Sequence, residues 1–411
     1  MNKEYLQVAV IGGGAAGFFS AISAKTHNPE AKVTIYEKSD KLLSKVRISG
    51  GGRCNVTHHC FDVRELVKFY PRGERPLKKA FGMWSPTDTV AWFEKRGVEL
   101  KTESDGRMFP TTDDSETIIN CLMEETRKLG IGIKTKANIK SLSKLEEGYE
   151  MGFHRGGRKT ADKVIIATGG SPRAKGFDWL RELGHDIEEP VPSLFTFNMP
   201  DEPIKELMGV VAEPVSIKIM GSNLKSSGPL LITHWGMSGP AVLKLSSFGA
   251  RDFHDMDYEF KTLVNWTGER PEQEVRSMLK DVEAEHGKKK IPNVNPFGLP
   301  NRLWNFLIDK LELGDDMIWQ NLGKKNINRL VHLLTNDEYQ VQGKTTFKEE
   351  FVTCGGISLL DVDMKTMESR KSPDLYFAGE VLDIDGVTGG FNFQAAWTTG
   401  YIAGKLGLLE K

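Results

Sequence analysis

Three glycines and one acid, Gly12-x-Gly14-x-x-Gly17 followed by Glu37, are spaced to hold a phosphate-bearing ligand. Gly12 permits a tight strand-to-helix turn, Gly14 lets backbone approach a pyrophosphate, and Gly17 lets helix and strand pack closely. The first turn of the helix then offers unpaired N–H groups and a positive dipole end. Glu37, twenty residues beyond Gly17, can accept hydrogen bonds from a ribose. A second run, Ser49-Gly50-Gly51-Gly52-Arg53-Cys54-Asn55, lets backbone amides crowd a ligand beside one fixed charge. A third site, Thr168-Gly169-Gly170, closes an apolar run in the way that close approach to a ligand requires, although a plain strand-to-loop turn reads the same. Near the end of the chain Gly379-Glu380, Asp383, Asp385 and Gly389-Gly390 precede a helical stretch. The N-terminus of that helix could face the pyrimidine edge of a flavin and stabilise charge on the reduced ring.

Other residues carry weaker signals. His234 stands in Thr233-His234-Trp235-Gly236-Met237-Ser238-Gly239-Pro240, a titratable ring beside a hydroxyl and a Gly-Pro turn. An acid–base role and a structural role are both open for it. Cys54, His58, His59 and Cys60 lie within seven residues, but adjacent His59 and Cys60 point apart in most backbones and the spacing fits no common finger, so no metal is expected. Cys54 reads either as a redox partner to a ring or as a packed small residue.

The elements that must position these groups follow from apolar periodicity. Val8 to Ile11 and Val33 to Tyr36 read as buried strands around an apolar helix reaching Lys25. Lys38 to Arg47 reads as a basic connection. Residues 62–130 read mainly as helices, with Asp114 capping Ser115 to Leu129 and Arg107 to Pro110 a loop beside it. Ile131 to Lys134, Ala137 to Leu142, Tyr149 to Phe153 and Ala161 to Ala167 read as strands. From about Pro190 prolines punctuate short extended segments, and from Pro271 to Leu334 helical patterns dominate. Tyr339 to Thr346 and Lys348 to Thr353 return to strand pattern.

The totals bound the function. The 411 residues imply two or three domains, and 39% hydrophobic with 27% charged residues is ordinary for a globular protein. With 55 basic against 56 acidic residues, the net charge of −1 argues against a general polyanion binder while leaving local patches open. No apolar run reaches a membrane span and no export signal is read, so a cytoplasmic protein without a membrane partner is expected. The four cysteines form no C-x-x-C pair and are expected reduced.

Together, GGGAAG with Glu37, SGGGRCNVT (49–57), ATGG (167–170), THWGMSGP and GEVLDIDGVTGGFNFQAAWTTG resemble the BaiN/YhiN (aminoacetone-oxidase-like) flavoproteins over nearly the whole chain. GGGRCN and THWGMSGP are the segments specific to that family, and His58 departs from its expected Asn. The resemblance implies an α/β, Rossmann-like FAD domain of the glutathione-reductase-like type, built from 1–190 and 346–411. An insert over 191–345 would be β-barrel-like to about 268 and helical from about 269 to 336. It implies that Gly12, Gly14, Ala16 and Gly17 hold the pyrophosphate, Glu37 and Lys38 the adenosine side, and the backbone of Ile139 the adenine. Ser49, Gly51, Gly52, Arg53 and Asn55, with Cys54 among them, would line the ribityl chain and ring. Thr168, Gly169, Gly379 and Glu380 belong to the same expected site, and Asp383, Asp385, Gly390, Asn392 and Phe393 would close it.

The expected function is an FAD-dependent oxidoreductase of a small, enone- or quinone-like molecule, with NAD(P)H, where it is used, as a transient co-substrate in a cleft. A second Rossmann motif for nicotinamide is not evident. Arg53 and His234 are the candidate catalytic residues, for stabilising a substrate anion or moving a proton. Alternatives are an amine or hydroxy-acid oxidase or dehydrogenase, a non-catalytic flavin sensor, and an RNA-modifying flavoenzyme. The last is disfavoured because no basic face is read, and no nucleic-acid partner is expected.

Overall fold

The run Gln7–Ile11 (β1) is almost wholly buried, and it forms a parallel strand between two others: Lys32–Tyr36 (β2) on one side and Lys163–Ile166 (β4) on the other. The computed structural model describes residues 5–314, 316–346 and 352–408. Between β1 and β2 runs the helix Ala15–His27 (α1), the crossover connection that a parallel pair needs. Gly132–Lys134 (β3) pairs with the far edge of β2. Beyond β4 come Val362–Asp363 (β5), Glu368–Ser369 (β6) and Leu375–Phe377 (β7), giving a sheet in the order β5-β6-β7-β4-β1-β2-β3. The five strands from β7 to β3 are parallel, and β5 and β6 add an antiparallel edge. Val10, Ile35, Val164, Ile165 and Ile166 are fully buried, as expected of strands covered on both faces.

Two helices share one face of this sheet region because small residues let them. The last helix, Phe391–Gly404, is labelled α4 below, after Ser44–Gly52 (α2) and Glu74–Phe81 (α3). A β-carbon on Gly400 would stand 2.9 Å from the Ala16 carbonyl oxygen, and one on Gly404 2.4 Å from that of Ser20. In place of a second crossover helix, the chain between β3 and β4 makes a three-stranded antiparallel sheet from Ile139–Lys144, Tyr149–Phe153 and Arg158–Ala161.

Arg107–Pro110 is not a loop. It is the central strand of another antiparallel sheet, between Thr57–His58 and Leu100–Thr102. Met108 and Phe109 are buried there; Leu100–Thr102 is the near arm of a hairpin too short to show alternation, and Thr57–His58, the other partner, lies far off in sequence, where local pattern carries no signal. Likewise Lys38 to Arg47 is not simply a connection, since α2 begins at Ser44.

The chain divides into two compact units, Met1–Ser193 with Lys348–Lys411, and Leu194–Phe347. In the first unit, Ile187–Ser193 and Val352–Ile357 form a two-stranded antiparallel ladder from which the chain leaves and to which it returns. The expected strand from Lys348 lies partly outside the described residues. The second unit has its own core, in which Phe195, Phe197, Phe253 and Phe260 pack edge and face. Its described strands form a seven-stranded antiparallel sheet that includes Val211–Ile219, Lys225–Thr233 and Glu259–Asn265. Its helices include Glu272–His286, Asn301–Asp309 and Gly323–Thr335, each with one apolar face.

Candidate functional site

The first unit collects three loops around the carboxyl ends of β1, β4 and β7, where open parallel sheets bind ligands. The first is the turn from β1 to α1. Gly12 has φ of 117°, and a β-carbon there would sit 2.2 Å from the Ala167 carbonyl oxygen. A β-carbon on Gly17 would sit 1.9 Å from the Gly12 carbonyl oxygen. These two glycines are therefore required by the protein's own packing. Gly14 is different. It caps α1 in extended backbone (φ −94°, ψ −171°), which any residue adopts, and a β-carbon there would meet nothing within 4 Å. Among the described residues nothing demands glycine at this position, and the space in front of it is open. The first turn of α1 has no side-chain cap and no acidic residue, so its N–H groups are available to an anion.

Glu37 is held at the rim of this turn. One carboxylate oxygen accepts from the Gly13 N–H (2.8 Å) and the other from the Ser39 N–H (2.8 Å). Lys38 beside it is exposed. The Ala137 N–H donates to the Glu37 carbonyl and the Lys136 N–H to that of Ser39, which lays the approach to Ile139 alongside the acid. Ala16 is buried, and a β-carbon on Gly379 would come within 2.7 Å of its own.

The second loop ends α2. Helical backbone stops at Ser49 (ψ 148°), and Gly50, Gly51 and Gly52 are all left-handed, at φ 59°, 71° and 86°. Gly51 and Gly52 face open space. Arg53 lies over the Phe109 ring at 4.0 Å and donates to Glu103 at 2.6 Å, with Asp113 at 3.5 Å. Its charge is thus matched by two carboxylates of the protein. Asn55 is buried, and in the amide orientation its neighbours select it accepts from the Gly390 N–H and donates to the Thr57 carbonyl, both at 3.0 Å. Thr57 donates to Gln394 at 2.6 Å, and the Trp397 indole N–H donates to the Val56 carbonyl at 2.9 Å. These bonds bolt the second loop to the start of α4. His58 stacks on Phe391, which stacks on Phe69.

Cys54 adopts φ of 62°, is fully buried, and burial pushes its thiol up to about 12. It offers no thiolate near neutrality. We expect iodoacetamide at about pH 8 to leave Cys54 unmodified in the folded protein and to reach it only after denaturation. Peptide mass spectrometry reads this directly, and labelling of Cys54 in the native state would contradict it.

The third loop joins β7 to α4. The Gly379 N–H donates to the Thr399 hydroxyl at 2.8 Å. Glu380 accepts from the Thr353 N–H (2.9 Å) and the Lys45 ammonium (2.6 Å). The Thr353 hydroxyl is buried beside Glu380 and Gly170 without a hydrogen-bond partner among the described residues. The Asp383 N–H donates to Ile357, and its side chain is half-buried. Asp385 is fully buried and directs both oxygens to protein groups: Arg72, which meets one of them at 2.5 Å, and the Ser193 hydroxyl at 2.7 Å. Burial holds its carboxyl above the ordinary range despite that cation. Asn392 clamps Gly386 by two 2.9 Å bonds, Gly390 (φ 91°) precedes α4, and Phe393 stacks on Trp397. At the end of β4, Thr168 is exposed and Gly169 (φ 74°) faces open space.

His234 belongs to the second unit, exposed in the turn between Lys225–Thr233 and Gly236–Ser238 with its ring 4.0 Å from that of Trp235. Residues that the sequence did not single out include Arg72, Thr57, Gln394 and Thr353, whose partners lie far away in the chain. Gly14 fits a site built for a dinucleotide, because it leaves room that the described residues do not use.

Residues 6–406 match the family model described as HI0933-like protein Rossmann domain. The chain is 27% identical over 410 residues to a 3-dehydro-bile acid delta(4,6)-reductase of Clostridium scindens, covering 97% of this chain and 98% of that protein. It is 28% identical over 410 residues to a ribosomal RNA dihydrouridine synthase of Escherichia coli, covering 97% of each. In fold it is similar to a 3-ketosteroid delta1-dehydrogenase from Sterolibacterium denitrificans (TM-score 0.53, 12% identity, 97% of this chain and 98% of that one). It is also similar to a flavocytochrome c3 fumarate reductase (TM-score 0.50, 16% identity, 98% of this chain and 78% of that one).

Proposed function

The chain belongs to the HI0933-like Rossmann family of FAD-dependent oxidoreductases, and on that premise we propose that it binds FAD and reduces a carbon–carbon double bond conjugated to a carbonyl. The observation that carries the cofactor is Gly14, a glycine whose own fold leaves its β-carbon position empty. The reaction class is supported by the two end-to-end relatives. A delta(4,6)-reductase of a 3-oxo steroid and a dihydrouridine synthase saturate the same motif, an alkene in conjugation with a carbonyl.

FAD, when bound, supplies the hydride that such a bond accepts. The chain's residues do the rest. Gly14 and the α1 N-terminus would receive the pyrophosphate, and Glu37, oriented by Gly13 and Ser39, would accept from the adenosine ribose. Gly51 and Gly52 let backbone approach the ring side, and the bonds from Asn55, Thr57 and Val56 to α4 hold that loop still. Arg53 fixes the loop through Glu103 and Phe109. NAD(P)H is the electron donor, and of the two acceptor types we favour a uracil within RNA.

Anaerobic stopped-flow mixing of FAD-loaded protein with NADPH, then with NADH, tests the reading. The oxidised-flavin band is expected to bleach on the order of 1–10 s⁻¹. Unmodified transcribed ribosomal RNA is then expected to restore it, and a cyclic enone to do so more slowly. Failure of both nicotinamides to bleach the band, or of both acceptors to restore it, would overturn the proposal.

A further inference from the structure

Helix α3 leads away from Arg72, the residue that grips Asp385, into a second feature of the first unit. Arg75, Pro76 and Lys79 of α3 face Leu359, Val362, Asp363, Met364, Lys365 and Arg370 across a cavity of about 430 Å³. That volume lies within the roughly 300–1,000 Å³ of small-ligand sites. Four cations line it against one carboxylate. All four are exposed, and among the described residues none has a carboxylate partner. The neighbouring acids are engaged: Asp361 and Asp186 are bridged by Lys371, at 2.9 and 2.8 Å, and Asp363 accepts from the Lys365 N–H at 3.0 Å. Arg370 is oriented by donating its Nε–H to the Val362 carbonyl at 3.3 Å, which leaves the rest of the guanidinium for a ligand. The floor is aliphatic, from Pro76, Leu359, Val362 and Met364, and Leu360 beside it is 85% exposed.

A net charge of −1 over the whole chain hides this arrangement. Cations on two facing elements, one of them held by main chain, above a floor of apolar groups match a sugar–phosphate strand. We infer that the cavity seats backbone phosphates of the RNA substrate, a few nucleotides from the base that is reduced. The inference rests on RNA uracil as the acceptor proposed above. Its position supports it: Arg72 bridges Asp385, and Arg75 follows Arg72 by three residues, so the helix that lines the cavity starts beside the Asp383–Asp385 loop.

The test measures binding without turnover. FAD-loaded full-length protein is titrated against a fluorescein-labelled oligouridine, and anisotropy is followed over a range of KCl. The wild type is expected to bind with an affinity that falls steeply with salt. Replacing Arg75, Lys79, Lys365 and Arg370 by alanine is expected to lower the salt slope by about 3 and the affinity roughly 100-fold or more near 0.1 M salt. Single variants Arg75→Ala and Lys365→Ala are expected to give slopes between these, which keeps the test readable if the fourfold variant folds poorly. Lys288→Ala with Lys289→Ala, in a basic turn of the second unit, is expected to change nothing.

The rate of flavin reduction by NADPH reads the other source of phosphate. If the pocket variants slow it while leaving oligouridine binding intact, the cavity serves the nicotinamide and the inference fails. Unchanged affinity in the variants, or no salt-dependent binding by the wild type, also overturns it. Reduction of a free cyclic enone is expected to persist in every pocket variant, so loss of RNA binding is separable from failure of the reductase reading.

Discussion

A Gly14→Ala protein is expected to fold as the parent does and to lose its flavin. The backbone at Gly14 is already in a conformation open to alanine, and the added β-carbon meets no protein atom within 4 Å. The cost to the fold is the difference between two N-cap residues, below about 1 kcal/mol. The cost to the ligand is expected to be larger, because a methyl group would stand where the proposed pyrophosphate approaches the main chain. Overpacking of that kind costs about 1–3 kcal/mol, which is roughly 5- to 150-fold in affinity. The flavin-to-protein ratio after purification and the melting of the apo forms read the two effects separately. Gly17→Ala is the control of opposite kind: its β-carbon would lie 1.9 Å from the Gly12 carbonyl oxygen, so the fold itself must yield. A Gly14→Ala protein that keeps a full complement of flavin would sink the placement of the pyrophosphate.

The contrast between these two glycines shows what the sequence can and cannot carry. The β1–α1–β2 unit was legible because its signals are local: an apolar run, a glycine turn, an apolar helix and a second apolar run, within about thirty residues. The spacing Gly-x-Gly-x-x-Gly marks all three glycines alike, yet two serve the fold and only Gly14 is left without a role inside it. The C-terminal glycines and acids were legible as a loop before a helix. What they bind within the protein was not. Thr57 and Gln394 are 337 positions apart, and the Trp397 bond to Val56 spans 341. Such pairings are set by the tertiary fold and leave no periodicity to read. Arg107–Pro110 failed partly for the same reason: it is a four-residue strand between a short hairpin arm, Leu100–Thr102, and a distant partner, Thr57–His58, and so brief a run looks like a loop until its neighbours are known. Net charge left local patches open, and the totals could not say where: Arg75 and Lys79 are far in sequence from Lys365 and Arg370, and only the fold brings the four to one cavity.

Arg72→Ala is expected to destabilise the first unit by about 3–5 kcal/mol, the usual result of leaving one member of a buried ion pair uncompensated. Asp385 is 0% exposed and Arg72 13%, so removing the guanidinium takes the cation from a carboxylate that the fold holds buried. The Ser193 hydroxyl is its remaining side-chain donor among the bonds that Arg72 and Ser193 supply. Burial already raises the Asp385 carboxyl in the parent, and loss of Arg72 removes the largest opposing influence. The sign of the pH dependence follows. An acid whose folded value lies above its unfolded value binds its proton more tightly when folded. Its contribution is therefore favourable at acid pH and is lost as pH rises from the ordinary carboxyl value through the raised one. The Arg72→Ala protein should accordingly lose more stability than the parent over that rise, and urea titrations at a series of pH values would show it. Replacing both partners by apolar residues, Arg72→Met with Asp385→Leu, is expected to recover much of the loss, because neither charge is then buried. If the single variant were as stable as the parent at neutral pH, Asp385 would have to reach solvent or another cation, and the Arg72–Asp385 pair could not be what anchors the C-terminal loop to the start of α3.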